Sequence, residues 1–252
     1  MSDCRTEAIS LGRTDYSNSS QIITFYTRDF GKIHTLAKGF KRISGRHSSK
    51  AVDLLTHYQI LFIQKEHSSL HTLTDTVLRY NYPHLRSNLD KYYKASYMAE
   101  LVNRFTLEND PSAQLFDIFL NTLTGIEADA DSTVQLLVFE MKLLKILGYL
   151  PLWGHCVSCK NSLPQLANVC FDAKAGGALC GECRGKLRNG IMVSSGAVRI
   201  AGRLAEFNVK KLERVKIQLS ICVEIEKMLR YYIGSLLNKE LNSWRCDSLN
   251  RV

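Results

Sequence analysis

The first part of the chain, residues 7 to about 80, has the short apolar and β-branched runs that are typical of strands. Runs at 21–27 and 32–37 flank a turn at 29–31 that contains aspartate and glycine, and this predicts a β-hairpin. Further strands are predicted within 52–66 and 70–78. About five short strands in such a segment favour a small barrel such as an OB-fold.

After Pro83 the apolar residues recur every three or four positions, which predicts helices. The first helix is predicted over 84–108. Asp110 is suited to an N-cap and Pro111 to a first helical turn, so a second helix is expected from there to about Ile126.

The rest of the chain is predicted to be mostly helical. A third helix is expected over 133–147, ended by Gly148, and a final helical region over 194–242. The predicted fold class is α+β: an N-terminal OB-fold β-barrel, then an all-helical domain that carries a four-cysteine insertion. The expected domains are 1–80 for the barrel, 81–150 for the first part of the helical domain, 151–190 for the insertion and 191–252 for the second helical part.

Two Cys-x-x-Cys pairs occupy the insertion: Cys156 with Cys159, and Cys180 with Cys183. Residues 160–179 separate the pairs, a spacing typical of structural zinc sites in which two knuckles supply two thiolates each. Four thiolates complete a tetrahedron and leave no open position for catalysis. We therefore expect one structural Zn²⁺ at these four cysteines.

The sequence alone allows other interpretations of the cysteines. A redox pair needs only one such motif, and an iron–sulfur cluster usually has different spacings. His155 and Cys170 are alternative ligand candidates, with an exposed loop histidine and a packed cysteine as the competing interpretations. The repeated spacing favours a metal site over these alternatives.

The formal net charge of +9 is concentrated near the N-terminus, where residues 28–50 contain seven basic residues and one acid. Such a cluster is typical of a surface that binds a polyanion, and an ordinary solvated surface is the competing interpretation. The candidate DNA-binding residues are Arg28, Lys32, Lys38, Lys41, Arg42, Arg46 and Lys50. Phe25, Tyr26, Phe30 and Phe40 alternate with these charges and are expected either to stack bases or to pack in the core.

The sequence lacks the motifs of several enzyme classes. It contains no phosphate-binding loop, no dinucleotide-binding fingerprint and no nucleophile elbow, so no enzymatic activity is expected. No apolar run approaches the roughly 18 residues that span a bilayer, and the N-terminus does not resemble a signal peptide. We therefore expect a cytoplasmic location, where thiols stay reduced.

Several short stretches, in a fixed order, resemble those of the bacterial recombination and repair protein O (RecO) family. They are Thr-Arg-Asp-Phe-Gly-Lys at 27–32, Ala-Lys-Gly-Phe-Lys-Arg at 37–42, Tyr-Met-Ala-Glu-Leu at 97–101, Gly-Tyr-Leu-Pro at 148–151 before the first cysteine pair, and Gly-Gly-Ala-Leu-Cys at 176–180. The resemblance covers roughly residues 7–240.

The resemblance implies a mediator of DNA repair and homologous recombination, with structural zinc and a place near the nucleoid. Such a protein binds single- and double-stranded DNA and anneals complementary strands. It acts with RecR and with the single-stranded-DNA-binding protein (SSB) to load RecA. For the acidic, apolar C-terminal tail of SSB, the resemblance implies a groove with basic residues at its rim; the candidates are Arg199, Arg203, Lys210, Lys211 and Arg214.

Two other functional classes share some of these features. A zinc-ribbon protein that binds RNA or serves in transcription would also combine a basic segment with a closed zinc site. A zinc hydrolase is a second alternative, and it would need an open position on the metal.

Overall fold

A computed structural model describes residues 2–38, 52–66, 68–128, 131–163, 168–185, 190–207 and 217–247, and of 245–247 it describes the backbone alone. The chain divides into two compact units, residues 1–128 and 129–252. The predicted helical segment 81–150 therefore contributes to both units. Within the described residues, no helix combines the length and the apolar character that a membrane span requires.

The first unit contains a closed five-stranded barrel. Its strands are β1 (Ser2–Asp15), β2 (Ser20–Thr27), β3 (Gly31–Lys38), β4 (His57–Gln64) and β5 (Leu70–Tyr80), in the order β1-β2-β3-β5-β4. All pairs are antiparallel except β3 with β5. This is the strand order of an OB-fold, so the predicted fold class is confirmed.

Strand β1 closes the barrel because it pairs with two neighbours. Its residues 2–9 pair with β4, and its residues 8–15 pair with β2. Ala8 and Ile9 pair with both neighbours, and the register with β2 shifts just after them, between Ser10 and Gly12. A bulge of this kind bends a strand and increases its twist, which allows one strand to serve two sides of a small barrel.

The barrel encloses an apolar core, and two of the aromatic residues considered for base stacking lie inside the unit. Phe25 and Tyr26 are fully buried; Phe25 belongs to the barrel core, and Tyr26 stacks on Phe116 with ring centroids 6.4 Å apart. Phe30 packs against the same core, and Phe40 lies outside the described residues. Phe25 and Tyr26 are therefore core residues with no face free for a base.

Three helices complete the first unit: α1 (Pro83–Ser87), α2 (Leu89–Phe105) and α3 (Ala113–Glu127). The predicted single helix over 84–108 is two helices, because Asn88 is extended and its side chain accepts a hydrogen bond from the backbone N–H of Lys91. The predicted N-cap at Asp110 is wrong, since α3 is capped by Ser112, whose side chain accepts from the N–H of Leu115.

The second unit combines helices with a small sheet. Helix α4 (Ser132–Ile146) is capped by Asp131, and Gly148 follows it with φ +77°, as predicted. The sheet has the order β7-β6-β8, with β6 (Asn168–Asp172), β7 (Gly177–Leu179) and β8 (Ile191–Ser194) all antiparallel. The remaining helices are α5 (Gly181–Arg184), α6 (Ser195–Glu206), α7 (Leu219–Leu237) and α8 (Asn242–Asp247). The cysteine insertion therefore includes strands that the sequence did not predict.

The tip of the β2–β3 hairpin contacts the loop that precedes α3. Gly31 has φ +66°, and an added Cβ would collide with the carbonyl group of Asp110. The backbone N–H of Asn109 donates to the carbonyl of Lys32 at 3.0 Å. Glycine is required here both for its left-handed conformation and for the close approach of two backbones.

We predict that Gly31→Ala lowers the free energy of unfolding by about 2–4 kcal/mol, because the substitution adds both conformational strain and a backbone clash. Urea denaturation followed by circular dichroism measures this change. Gly12→Ala is the matched control, since a Cβ at Gly12 meets no atom within 4 Å. Equal stability of the two variants would contradict the role of Gly31.

Candidate metal centre and nucleic-acid interface

The four cysteines of the two pairs form one cluster. The Sγ atoms of Cys156, Cys159, Cys180 and Cys183 all lie within 4.8 Å of one another, and those of Cys159 and Cys180 are 3.7 Å apart. Zn–S bonds of about 2.3 Å in a tetrahedron place sulfurs about 3.8 Å apart. The residues and their spacing therefore fit a tetrahedral ion held by four thiolates.

Backbone pairing between the first cysteine pair and β7 brings the two pairs together. The N–H of Leu152 donates to the carbonyl of Gly176 at 2.9 Å, and the N–H of Val157 donates to that of Ala178 at 2.9 Å. A Cβ at Gly177 would lie 2.6 Å from Cγ1 of Val157 and 2.7 Å from the carbonyl oxygen of Leu152. Glycine thus allows β7 to lie against the first pair, and Cys180 follows β7 directly.

The clustered thiols influence one another's ionisation. Burial opposes ionisation of Cys156, but hydrogen bonds from backbone N–H groups, including that of Cys159, lower its pKa to about 6. For Cys159, the N–H of Asn161 acts to lower the pKa, while burial and hydrogen bonds with the other thiols raise it to about 12. A divalent cation among the sulfurs stabilises all four thiolates, so metal binding releases the protons that the thiols otherwise share.

His155 and Cys170 do not belong to this cluster. His155 is exposed and forms a backbone bridge with Ser162. Cys170 lies in β6 and is buried among apolar residues beside Cys156 and Leu179. Within the described part of the chain, the metal-ligating group consists of the four predicted cysteines alone.

Two of the predicted DNA-binding residues have partners inside the first unit. Arg28 donates from Nε to Glu7 at 3.0 Å and from Nη2 to Asp117 of α3, and its guanidinium lies 5.1 Å from the ring centroid of Phe116. Lys32 donates from Nζ to the carbonyls of Asn103 and Thr106, both at 2.6 Å, at the end of α2.

These contacts hold the barrel against α2 and α3. A lysine at the C-terminal carbonyls of a helix satisfies acceptors that have no partner within the helix. Burial lowers the pKa of Lys32, and nearby Glu108 acts in the opposite direction. Arg28 is therefore paired with two carboxylates, and the Lys32 ammonium is hydrogen-bonded to backbone carbonyls, so both side chains have partners within the protein.

Of the other candidates, only Lys38 is described, and it is exposed at the end of β3. Lys41, Arg42, Arg46 and Lys50 lie outside the described residues. The chain leaves the barrel at Lys38, which pairs in register with Ser20, and returns at Val52, whose carbonyl accepts from Nη1 of Arg13 at 3.4 Å. The part of the chain between these two points, residues 39–51, is called the basic segment below. The residues on either side of it, Lys38 and Val52, both adjoin the β1–β2 hairpin.

Helix α6 of the second unit borders two cavities. One of about 360 Å³ is lined by Ile200, Arg203, Leu204, Phe207, Ile217, Gln218 and Ile221. The other, of about 560 Å³, is lined by Trp153, Gly154, Arg199, Gly202, Arg203, Glu206 and Phe207. Arg199 and Arg203, both predicted at a groove rim, are exposed here, whereas Lys210, Lys211 and Arg214 lie outside the described residues.

Two family models match successive parts of the chain. The model of the recombination protein O N terminal region matches residues 1–82, and that of the recombination protein O C terminal region matches residues 86–245. The chain belongs to the RecO family. The junction between the two matches follows β5, so the N-terminal match corresponds to the barrel.

Curated RecO relatives span almost the whole chain. The DNA repair protein RecO of Syntrophus aciditrophicus (strain SB) is 30% identical and covers 98% of this chain and 96% of its own length. Proteins of the same name from Desulfitobacterium hafniense (strain DSM 10664 / DCB-2) and Dehalococcoides mccartyi (strain ATCC BAA-2266 / KCTC 15142 / 195) are 29% and 27% identical, over 94% and 99% of this chain and 86% and 97% of their own lengths. RecO-family membership places the chain among DNA repair and recombination proteins.

We predict that Cys159→Ala abolishes stoichiometric metal binding, because three thiolates and water bind a structural ion much less tightly than four thiolates. Inductively coupled plasma mass spectrometry of the purified protein measures the metal content. Cys170→Ala, which removes a thiol outside the cluster, should leave that content unchanged. Full metal content in Cys159→Ala would contradict the four-cysteine site.

Proposed function

We propose that this chain is a recombination mediator that binds single- and double-stranded DNA and anneals complementary strands. In this role it assists RecA loading on SSB-coated DNA together with RecR, near the nucleoid in the cytoplasm. The observation that carries the proposal is the match of the two RecO family models to residues 1–82 and 86–245. The OB-like barrel supports it, as does the basic sequence between Lys38, where the chain leaves the barrel, and Val52, where it returns.

The DNA contacts are assigned to the basic segment between Lys38 and Lys50, with Lys41, Arg42 and Arg46. Arg28 and Lys32 have a structural role in this assignment, because Arg28 pairs with Asp117 of α3 and Lys32 donates to carbonyls at the end of α2. Phosphate contacts of lysine and arginine are independent of sequence and weaken with salt. Annealing follows from the same charges, since neutralising two strands removes the repulsion that opposes their approach.

We predict that the double variant Lys41→Glu/Arg42→Glu binds an oligo-dT at least about tenfold more weakly near 0.15 M salt. Its plot of log affinity against log salt should be flatter by about 0.7 for each phosphate that the variant no longer binds. Fluorescence anisotropy at several salt concentrations measures both quantities. Affinity and slope equal to those of the wild type would refute the assignment.

Two control variants accompany this test. Lys227→Glu/Lys239→Glu reverses the same number of charges at exposed positions of the second unit and should keep DNA affinity close to that of the wild type. Lys32→Gln removes the bonds to the end of α2 and should lower the unfolding temperature while leaving the salt slope unchanged. A flatter slope in Lys32→Gln would return that residue to the DNA-binding set.

The partner proposal concerns the groove formed by the two cavities at α6. The cavity of about 360 Å³ has an apolar lining with Arg203 at its edge. The SSB tail combines acidic residues with an apolar end, so its apolar end fits the lining while Arg199 and Arg203 bind its carboxylates.

We predict that Arg203→Glu weakens binding of an SSB-tail peptide at least about tenfold, because it replaces attraction by repulsion at the cavity edge. Trp153 lines the neighbouring cavity, so its fluorescence in a Trp244→Phe background reports the binding. Lys227→Glu, on exposed α7 surface, is the matched control. Undiminished peptide binding by Arg203→Glu would remove the groove from the proposal.

The metal in this proposal is a single structural zinc, and the protein has no turnover site. Four thiolates fill the coordination sphere, so the ion stabilises the fold of the second unit and activates no water. The alternative is a zinc-ribbon protein that acts on RNA or in transcription. An assay of strand annealing on SSB-coated DNA separates the two, because only a recombination mediator is expected to promote it.

A further inference from the structure

The turn between β1 and β2 lies beside both ends of the basic segment. The N–H groups of Tyr16 and Ser17 donate to the carbonyl of Ser20 at 3.1 and 3.2 Å, which closes a tight turn. At the last pair of the β1–β2 ladder, Gln21 donates from Nε2 to Oδ1 of Asp15 at 3.0 Å. The hairpin end is therefore held in place by hydrogen bonds of its own.

Tyr16 projects its ring from this turn into solvent. Tyr16 is 61% exposed, compared with 45% for Tyr80, the other strongly exposed aromatic residue among those described in the first unit. The two differ in their surroundings. Tyr80 packs edge-on against Tyr82 at 4.9 Å and its hydroxyl contacts Glu127 at 3.3 Å, while no hydrogen bond or ring contact of the Tyr16 side chain occurs within the described part of the chain.

Two exposed basic residues lie at the same end of the barrel as Tyr16. Lys38 of β3 is exposed and pairs with Ser20 of β2, the residue that ends the β1–β2 turn. Arg13 is also exposed, and it contacts the carbonyl of Val52 where the chain returns to the barrel. The one acid of the hairpin end is Asp15, which accepts the hydrogen bond from Gln21.

We propose that Tyr16 is a base-stacking residue that gives the barrel a preference for unpaired bases, with Lys38 and Arg13 holding the adjoining phosphates. The inference rests on the proposed DNA binding and adds the residue that distinguishes single strands from duplex. A tyrosine ring offers a flat apolar face that every base can cover, and burying that exposed face is favourable.

Stacking at Tyr16 discriminates between the two forms of DNA because of where their bases lie. In a duplex each base face is covered by its neighbours, so the ring finds a partner only at an end. In a single strand the bases can turn outward and stack on protein aromatic groups. The phosphate contacts, in contrast, act on both forms.

The test compares Tyr16→Ala and Tyr16→Phe with the wild-type protein on an oligo-dT strand and on a blunt duplex hairpin. Tyr16→Ala should bind the single strand about five- to 150-fold more weakly, the range expected when one stacked base loses its partner. Its salt slope and its duplex affinity should match those of the wild type, since its phosphate-binding side chains are unchanged. Tyr16→Phe keeps the ring and should bind like the wild type.

A photocrosslinking measurement provides a readout that a purely structural role would not change. An oligonucleotide carrying 5-iodouracil, which crosslinks to stacked aromatic groups on irradiation, should form an adduct on the peptide that contains Tyr16. Leu78→Ala is the matched control for binding, because Leu78 is an apolar side chain of the same barrel and is 54% exposed. Unfolding temperatures of all variants check that each is folded.

The outcomes separate this inference from the proposed function. If the wild type binds no DNA, the proposed function fails. If the wild type binds DNA with a steep salt dependence but Tyr16→Ala keeps its single-strand affinity, the stacking role is wrong and the proposed function stands. An equal loss of affinity for single strand and duplex, or an adduct that maps elsewhere, also overturns the role of Tyr16.

Discussion

The first unit depends on the backbone pairing that closes β1 onto both β2 and β4. One strand serves both neighbours because its register shifts between Ser10 and Gly12. A closed sheet has no unpaired edges, whereas an open one would expose them. Closure also brings the β1–β2 turn, the end of β3 and the chain near Val52 to one end of the barrel. The proposed DNA surface is therefore a consequence of strand pairing before any side chain is considered.

The second unit is organised by a different kind of constraint. Its sheet has three short strands, and its first cysteine pair lies in a loop that follows α4. The thiols meet because β7 approaches Leu152 and Val157 closely at Gly177, where no side chain intervenes. So small a sheet has little core of its own, and a metal ion contributes binding free energy directly to folding in such cases. Trp153 and Gly154, which shortly precede the first cysteine pair, line a cavity beside α6. The metal centre and the proposed partner groove therefore share one stretch of chain.

Much of this fold could be predicted from the sequence because local signals were strong. Turn chemistry at 29–31 predicted the β2–β3 hairpin, and repeated Cys-x-x-Cys spacing predicted the four-thiol cluster. The break at Asn88 was missed, because apolar periodicity continues across it while one polar side chain caps a new helix. The cap of α3 was also misplaced: Ser112 caps the helix, while the backbone of Asp110 lies against Gly31, a residue distant in sequence.

Other features depended on tertiary contacts that no local pattern records. Phe25 and Tyr26 alternate along a strand, yet both are buried because α3 covers the outer face with Phe116. The cavity of about 560 Å³ at α6 combines Trp153 with residues some fifty positions later, and no local pattern in the sequence indicates that they meet. Charge counting was also incomplete, since it could not reveal that Arg28 faces Asp117.

The partners of Arg28 and Lys32 have a consequence for the protein during synthesis. Lys32 binds carbonyls 71 and 74 residues further along the chain, and Arg28 binds a carboxylate 89 residues further along. Translation proceeds from the N-terminus, so the nascent barrel lacks these partners of Lys32 and Arg28 until α2 and α3 have left the ribosome, and Glu7 is then the partner of Arg28 within the barrel. Folding of those helices then gives Lys32 its carbonyl acceptors and Arg28 its second carboxylate. Two of the seven basic side chains of the barrel thus reach their final partners only when helices made after it have folded.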